Sequence, residues 1–130
     1  MKRFAMAAAL LAAIVTTAAH AEWAPSGVTT SDGNPILLEG ARALPDNHAT
    51  AWVSMPKAER TRMLSFVYRT EVRCTDYATA QRSALTVYAG GHGISPEVVA
   101  TEPLNPYSPF KDTVPGSVMR GVAEVICTGR

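Results

Sequence analysis

The sequence predicts an α+β fold: a small antiparallel sheet of about five to six strands packed against one C-terminal helix, with a disulfide joining strand to helix. Three observations carry this. Residues 66–74 read FVYRTEVRC, in which Phe66, Tyr68, Thr70, Val72 and Cys74 share one parity and Arg69, Glu71 and Arg73 the other. That is the alternation of a strand with one packed face and one wet face. Val118, Val122, Val125 and Ile126 fall at helical spacing behind Ser117, a residue suited to cap a first turn. The chain has two cysteines: Cys74 at the packed parity of the strand, and Cys127 beside the helix stripe, four residues beyond Ala123. A bond between them closes a loop of about 54 residues, worth about 4 kcal/mol in the chain-entropy model, a large share of the ~5 to 15 kcal/mol of a typical domain.

The first residues read as an address. Lys2 and Arg3 precede an alanine-rich apolar segment over residues 7–15, and Ala19-His20-Ala21 supplies an A-x-A cleavage site. Residues 1–21 are therefore a secretory signal peptide cut before Glu22. The apolar run is too short to span a bilayer, so no integral membrane segment is expected after cleavage. No cysteine stands near the cut to take a lipid. The remaining 109 of the 130 residues, 22–130, suit a single domain. In an exported chain a cysteine pair reads as a structural bridge.

Trp23 opens a first strand that ends at Ser31-Asp32-Gly33-Asn34, where Asp-Gly favours a hairpin turn. Pro35 can begin a strand but not sit centrally in one, so Ile36-Leu37-Leu38 is a short second strand, interrupted by Gly40. After a turn at Pro45-Asp46-Asn47, residues 50–54 form a third strand with Trp52 directed at the core. Residues 55–62 hold Pro56 and a few good helix formers, too short a segment to hold a helix alone, and read as a loop with a turn in it. Residues 63–74 form the long strand, which turns at Thr75-Asp76. Residues 79–88 are its antiparallel neighbour, with Leu85 and Val87 on one face and Arg82 on the other.

Gly90-Gly91-His92-Gly93 reads as a loop; with no lysine and hydroxyl pair and no helix behind it, it is not a phosphate cradle. Val98 and Val99 suggest one more short strand. Pro103, Pro106, Pro109 and Pro115 then exclude a helix and disfavour a paired strand over residues 101–115. Tyr107 and Phe110 in this extended loop either fold back as a lid over the core, the preferred reading, or form a contact surface. Gly121 costs about 1 kcal/mol relative to Ala inside a helix and so marks close packing against the sheet.

Without the signal peptide, ten basic residues stand against eleven acidic ones. No global charge recruits nucleic acid or an anionic membrane. The charge is uneven, with one arginine against four acids in residues 22–56 and five basic residues against two acids in residues 57–73. Arg69, Arg73 and Arg82 share the wet face and form a candidate binding patch for an acidic glycan or an anionic protein surface. The plainer reading of the same residues is a solvated strand face that resists edge pairing. No aromatic alternates with them, so nucleic acid is not expected. His48 and His92 fall in predicted loops without a second ligand at metal spacing, and no Gly-x-Ser-x-Gly elbow is present. Asp32 and Asp46 belong to turns, Glu71 to the wet strand face and Glu124 to the helix. Nothing marks a catalytic, cofactor-binding or metal-ligating residue, and the chain is not expected to be an enzyme.

The order and spacing of certain residues resemble the surface-adhesin protein E-like family: an early Trp23, Trp52-Val53, a strand ending in Cys74, Tyr88 before a glycine turn, and Pro115-Gly116-Ser117 leading a helix that ends in Cys127. The match is best from Trp52 to Cys127. The resemblance implies an antiparallel sheet against a C-terminal helix with a strand-to-helix disulfide, and a binding role toward host extracellular-matrix or serum proteins at a bacterial surface. This chain departs from the lipoprotein form of that family in lacking a lipobox cysteine, which puts surface display in doubt. The expectation is an exported cell-envelope module, periplasmic or secreted, that binds a protein or glycan partner without catalysis. The alternative is a periplasmic enzyme or accessory factor, in which His48 or His92 would converge with an acid in a polar cleft. A third reading is a structural envelope protein whose sheet edge pairs with a partner chain.

Overall fold

The computed structural model describes residues 22–89 and 97–129. The expected signal peptide, the glycine loop and His92 lie outside the described residues. Among the described residues seven antiparallel strands, rather than about five to six, form one sheet. They are β1 (Ala24–Thr29), β2 (Pro35–Leu44), β3 (His48–Glu59), β4 (Arg62–Arg73), β5 (Ala78–Gln81), β6 (Leu85–Ala89) and β7 (Val98–Glu102). The hydrogen-bonded order is β1-β2-β3-β4-β6-β7, and β5 pairs with the far end of β4 beside β6. Among the described residues one helix, α1 (Val118–Thr128), crosses one face of the sheet.

The axis of the sheet is the β3–β4 hairpin, paired without a break from His48↔Arg73 to Glu59↔Arg62. Residues 55–62 are therefore strand and a two-residue turn, not the expected loop. Arg60 takes a left-handed φ of 56° to close that turn. Pro56 is tolerated for a reason of register. Cys74 donates its N–H to Asn47, which sets the hydrogen-bonded pairs at odd-numbered residues of β3. Pro56 thus turns its missing donor toward β2, whose pairing with β3 ends at Leu37↔Ser54.

Gly40 does not stop the second strand, which runs on to Leu44. At a φ of +66° it sits in a register shift between Glu39 and Arg42, so the extra residue is absorbed as a bulge. The expected neighbour over 79–88 is divided into β5 and β6. In the gap the Arg69 N–H finds the Ser83 hydroxyl at 2.9 Å and the Arg69 carbonyl finds the Arg82 N–H at 2.8 Å, so no ladder bond of β4 is orphaned there. Val98 and Val99 do form a strand, and all five residues of β7, at the edge of the sheet, are exposed.

The core forms between α1 and one face of the sheet. Val122, Ala123 and Ile126 meet Ile36, Leu38, Val53, Tyr68 and Val72, with Ala49 and Ala51 as small residues in the same cluster. Since Ala51 and Val53 point inward, the period of two directs Trp52 outward, where it is 37% exposed; it does not cover the core as expected. Ser117 caps the helix, its hydroxyl accepting from the Arg120 N–H at 3.2 Å. The Cys74–Cys127 disulfide, with Cα atoms 5.8 Å apart, ties the end of β4 to the last turn of α1. Gly121 packs against β1, where a Cβ would lie 3.4 and 3.5 Å from the two methyls of Val28.

Two outcomes follow in stability measurements. Cys74→Ser and Cys127→Ser should each cost about 4 kcal/mol in urea unfolding, with the double variant within about 0.5 kcal/mol of either single; fully additive losses would contradict the bridge. Gly121→Ala places its methyl at ordinary contact distance from Val28 and removes a helix penalty of about 1 kcal/mol. Its melting temperature should rise by roughly 3 to 6 °C, whereas Gly121→Val, with two further carbons against Val28, should lower it.

Candidate functional site

The face of the sheet turned away from α1 carries the basic residues singled out in the sequence. The register brings His48 opposite Arg73, Thr50 opposite Glu71 and Trp52 opposite Arg69, and the Arg82 N–H bonds to the Arg69 carbonyl. Arg69, Arg73 and Arg82 therefore do lie on one face. Two of them are already engaged. Arg73 grips Asp76 through Nε at 3.0 Å and Nη2 at 2.7 Å. Arg82 Nε donates to Glu71 at 2.9 Å, while its Nη1 donates to the carbonyls of Pro106 at 2.9 Å and Ser108 at 2.7 Å. Arg69 donates to the Thr50 hydroxyl at 3.1 Å and has no carboxylate within 4.0 Å among the described residues.

The proline-rich residues 103–117 return over this face as a strap. Lys111 exchanges both backbone bonds with Thr79, at 2.8 and 2.9 Å. The Thr113 hydroxyl donates to the Tyr77 carbonyl at 2.9 Å, and Arg120 reaches the Thr113 carbonyl at 3.3 Å. Phe110 does fold back, yet it lands on the polar face rather than on the core. The Arg73 and Arg82 guanidinium carbons lie 5.2 and 5.1 Å from its ring centroid, and the His48 ring meets it edge-on at 5.2 Å. Tyr107 stays 87% exposed.

His48 is not in an exposed loop but is the first residue of β3, with Nδ1 2.6 Å from Glu71 Oε2. Burial alone would raise the pKa of Glu71; hydrogen bonds from His48 and Arg82, with the charge of Arg82, outweigh it and hold the carboxyl below 4.5. The hydrogen bond from Arg73 holds Asp76 at about 2. His48 is thus the histidine that meets an acid, but Phe110 fills the space in front of the pair.

The opposite face has room that α1 leaves open. A cavity of about 590 Å³ lies over Met55, Phe66, Tyr68 and Leu85, and a second of about 290 Å³ lies between β5, the strap and Met119. Burial pushes the Tyr68 phenol up to about 12, so it stays neutral. The Thr70 hydroxyl in the lining of the smaller cavity is fully buried without a hydrogen-bond partner, a cost of about 1 to 3 kcal/mol. His48 lines neither cavity. Among the described residues no group of three or more His, Cys, Asp or Glu is placed to hold a metal ion, and no helix is long and apolar enough to cross a membrane.

The chain matches no protein-family model, no curated protein and no solved structure.

Sequence reasoning missed the His48–Glu71–Arg82 network and the two cavities. The signal for the network was the turn at Arg60-Thr61, because once that turn is fixed the hairpin register follows and brings His48 and Glu71 to neighbouring positions on one face.

Both lowered carboxyls make stability depend on pH with one sign. The unfolded chain binds more protons than the folded one below about pH 4.5, so their stabilisation is complete above that value and fades as pH falls toward about 2. Urea midpoints of the wild type should therefore drop on acidification below about pH 4.5. Glu71→Gln should start from a lower midpoint at neutral pH and fall less steeply in acid; an acid limb as steep as that of the wild type would assign the loss to other groups.

Proposed function

We propose that the chain is an exported cell-envelope binding module that engages a protein partner through the outer face of its sheet, without performing chemistry on it. The observation that carries this reading is Trp52, exposed on a central strand and directly opposite Arg69, the patch arginine with no carboxylate beside it among the described residues. Tryptophan and arginine on a rigid surface are the residue types that dominate binding energy at protein interfaces. Engagement of Arg73 and Arg82 with Asp76 and Glu71 weakens the case for an acidic glycan, which would need several uncompensated cations. The resemblance to surface-adhesin protein E-like proteins points to the same class of role, with an extracellular-matrix or envelope protein as partner. The second reading, an enzyme or accessory factor, draws on the 2.6 Å contact between His48 and Glu71, and would require Phe110 to leave its place over the pair.

The test is binding of the purified mature chain to immobilised matrix proteins and envelope fractions, together with protease treatment of intact and osmotically shocked cells. Trp52→Ala and Arg69→Gln should each weaken binding at least about tenfold while the far-ultraviolet circular dichroism stays that of the wild type, as expected of interface anchors. Binding that survives both substitutions would remove this face from the contact. Protection from protease in intact cells would restrict the partner to the envelope interior.

A further inference from the structure

The two cavities on the helix side meet at Gln81, which lines both. Their linings differ in character. The larger has an apolar floor of Met55, Phe66, Tyr68 and Leu85, whereas the smaller presents Thr70, Thr79, Ser108 and Lys111. Taken as one space, they fall within the size range of small-molecule sites.

Three features point to what would occupy them. The Thr70 hydroxyl is fully buried with no acceptor, so its own fold leaves a donor waiting at the polar end. Two lysines line the cavities against one acid, Asp32, and neither lysine has a carboxylate within 4.0 Å among the described residues. The Lys57 ammonium stands 6.0 Å from the Phe66 ring centroid, above the apolar floor. Finally, Thr79 exchanges its backbone bonds with Lys111, and strand alternation turns the N–H and C=O of Gln81 to the same side, at the wall between the cavities.

We propose that the two cavities form one groove for a small amphipathic carboxylic acid. Its apolar body lies over Met55, Phe66, Tyr68 and Leu85, and its carboxylate accepts from the Thr70 hydroxyl beside Lys111. The ligand satisfies the buried donor and balances the excess positive charge of the lining. This site is on the face opposite Trp52 and Arg69 and stands independently of the partner proposed for that face.

The experiment is titration of the mature chain with decanoate, below its micelle concentration, followed by calorimetry and by amide chemical shifts. Saturable binding with shifts clustered at Gln81, Leu85 and Lys111 is expected. Lys111→Gln should weaken decanoate at least about tenfold, the cost of losing a charge-assisted contact. Thr70→Val is the sharper variant, because it exchanges an unpaired hydroxyl for a methyl of the same shape. It should raise the melting temperature of the free protein and yet lower decanoate affinity. Decylamine, with the same chain and the opposite charge, should bind at least about tenfold more weakly than decanoate. Equal binding of decylamine, shifts clustered on the Trp52 face, or undiminished affinity in Thr70→Val would each overturn the proposal.

Discussion

The unbroken pairing of β3 with β4 decides where every other element of this protein stands. Twelve cross-strand pairs from one tight turn leave no freedom of register, and because strand side chains alternate, a slip of one residue would exchange the two faces of the sheet. The pairing places Ala51, Val53, Tyr68 and Val72 under the helix and sends His48, Trp52, Arg69 and Glu71 to the opposite side. The disulfide from the end of β4 then holds the helix at that end of the sheet. This leaves the other end of the same face uncovered, and the larger cavity lies there.

The two faces are finished by different means. On one, apolar burial beneath an amphipathic helix supplies the core. On the other, a strap of residues 103–117, poor in backbone donors because of its prolines, is held through carbonyls that accept from arginines and through one aromatic ring. Arg82 serves four partners at once: the Glu71 carboxylate, two strap carbonyls and the Phe110 ring. Of the three arginines of the patch, Arg73 and Arg82 are thereby engaged, and Arg69 is the exception.

The parts legible in the sequence were those written in local period: the alternation of residues 66–74, the helical stripe behind Ser117, and a cysteine pair with one possible connectivity. The close approach implied by Gly121 proved to be contact with Val28. Harder to read were positions where backbone geometry runs against residue type. Arg60 occupies a left-handed turn position with no glycine or asparagine to announce it, so the hairpin tip looked like a loop. Pro56 with the helix formers behind it pointed to a helical turn or a loop, although the end of β2 frees this proline from donating and lets the strand run through it. Trp52 looked like a core residue by composition alone, and its parity was known only once the register was. The His48–Glu71 contact is long-range and could follow only from the register that the Arg60-Thr61 turn sets.

The edge strand β7 raises a different matter, that of self-association. Val98-Val99-Ala100-Thr101 is a short exposed stretch of strand with no further strand beside it among the described residues, the kind of template on which chains stack into fibrils. Glu97 and Glu102 bracket it, and Pro103 follows with no N–H to extend the ladder. In-register stacking of identical chains would set Glu97 on Glu97 and Glu102 on Glu102 at the close spacing of a cross-β ladder. Glu102, the last residue of β7, thus disfavours a second copy of the same strand and admits one of complementary charge more readily.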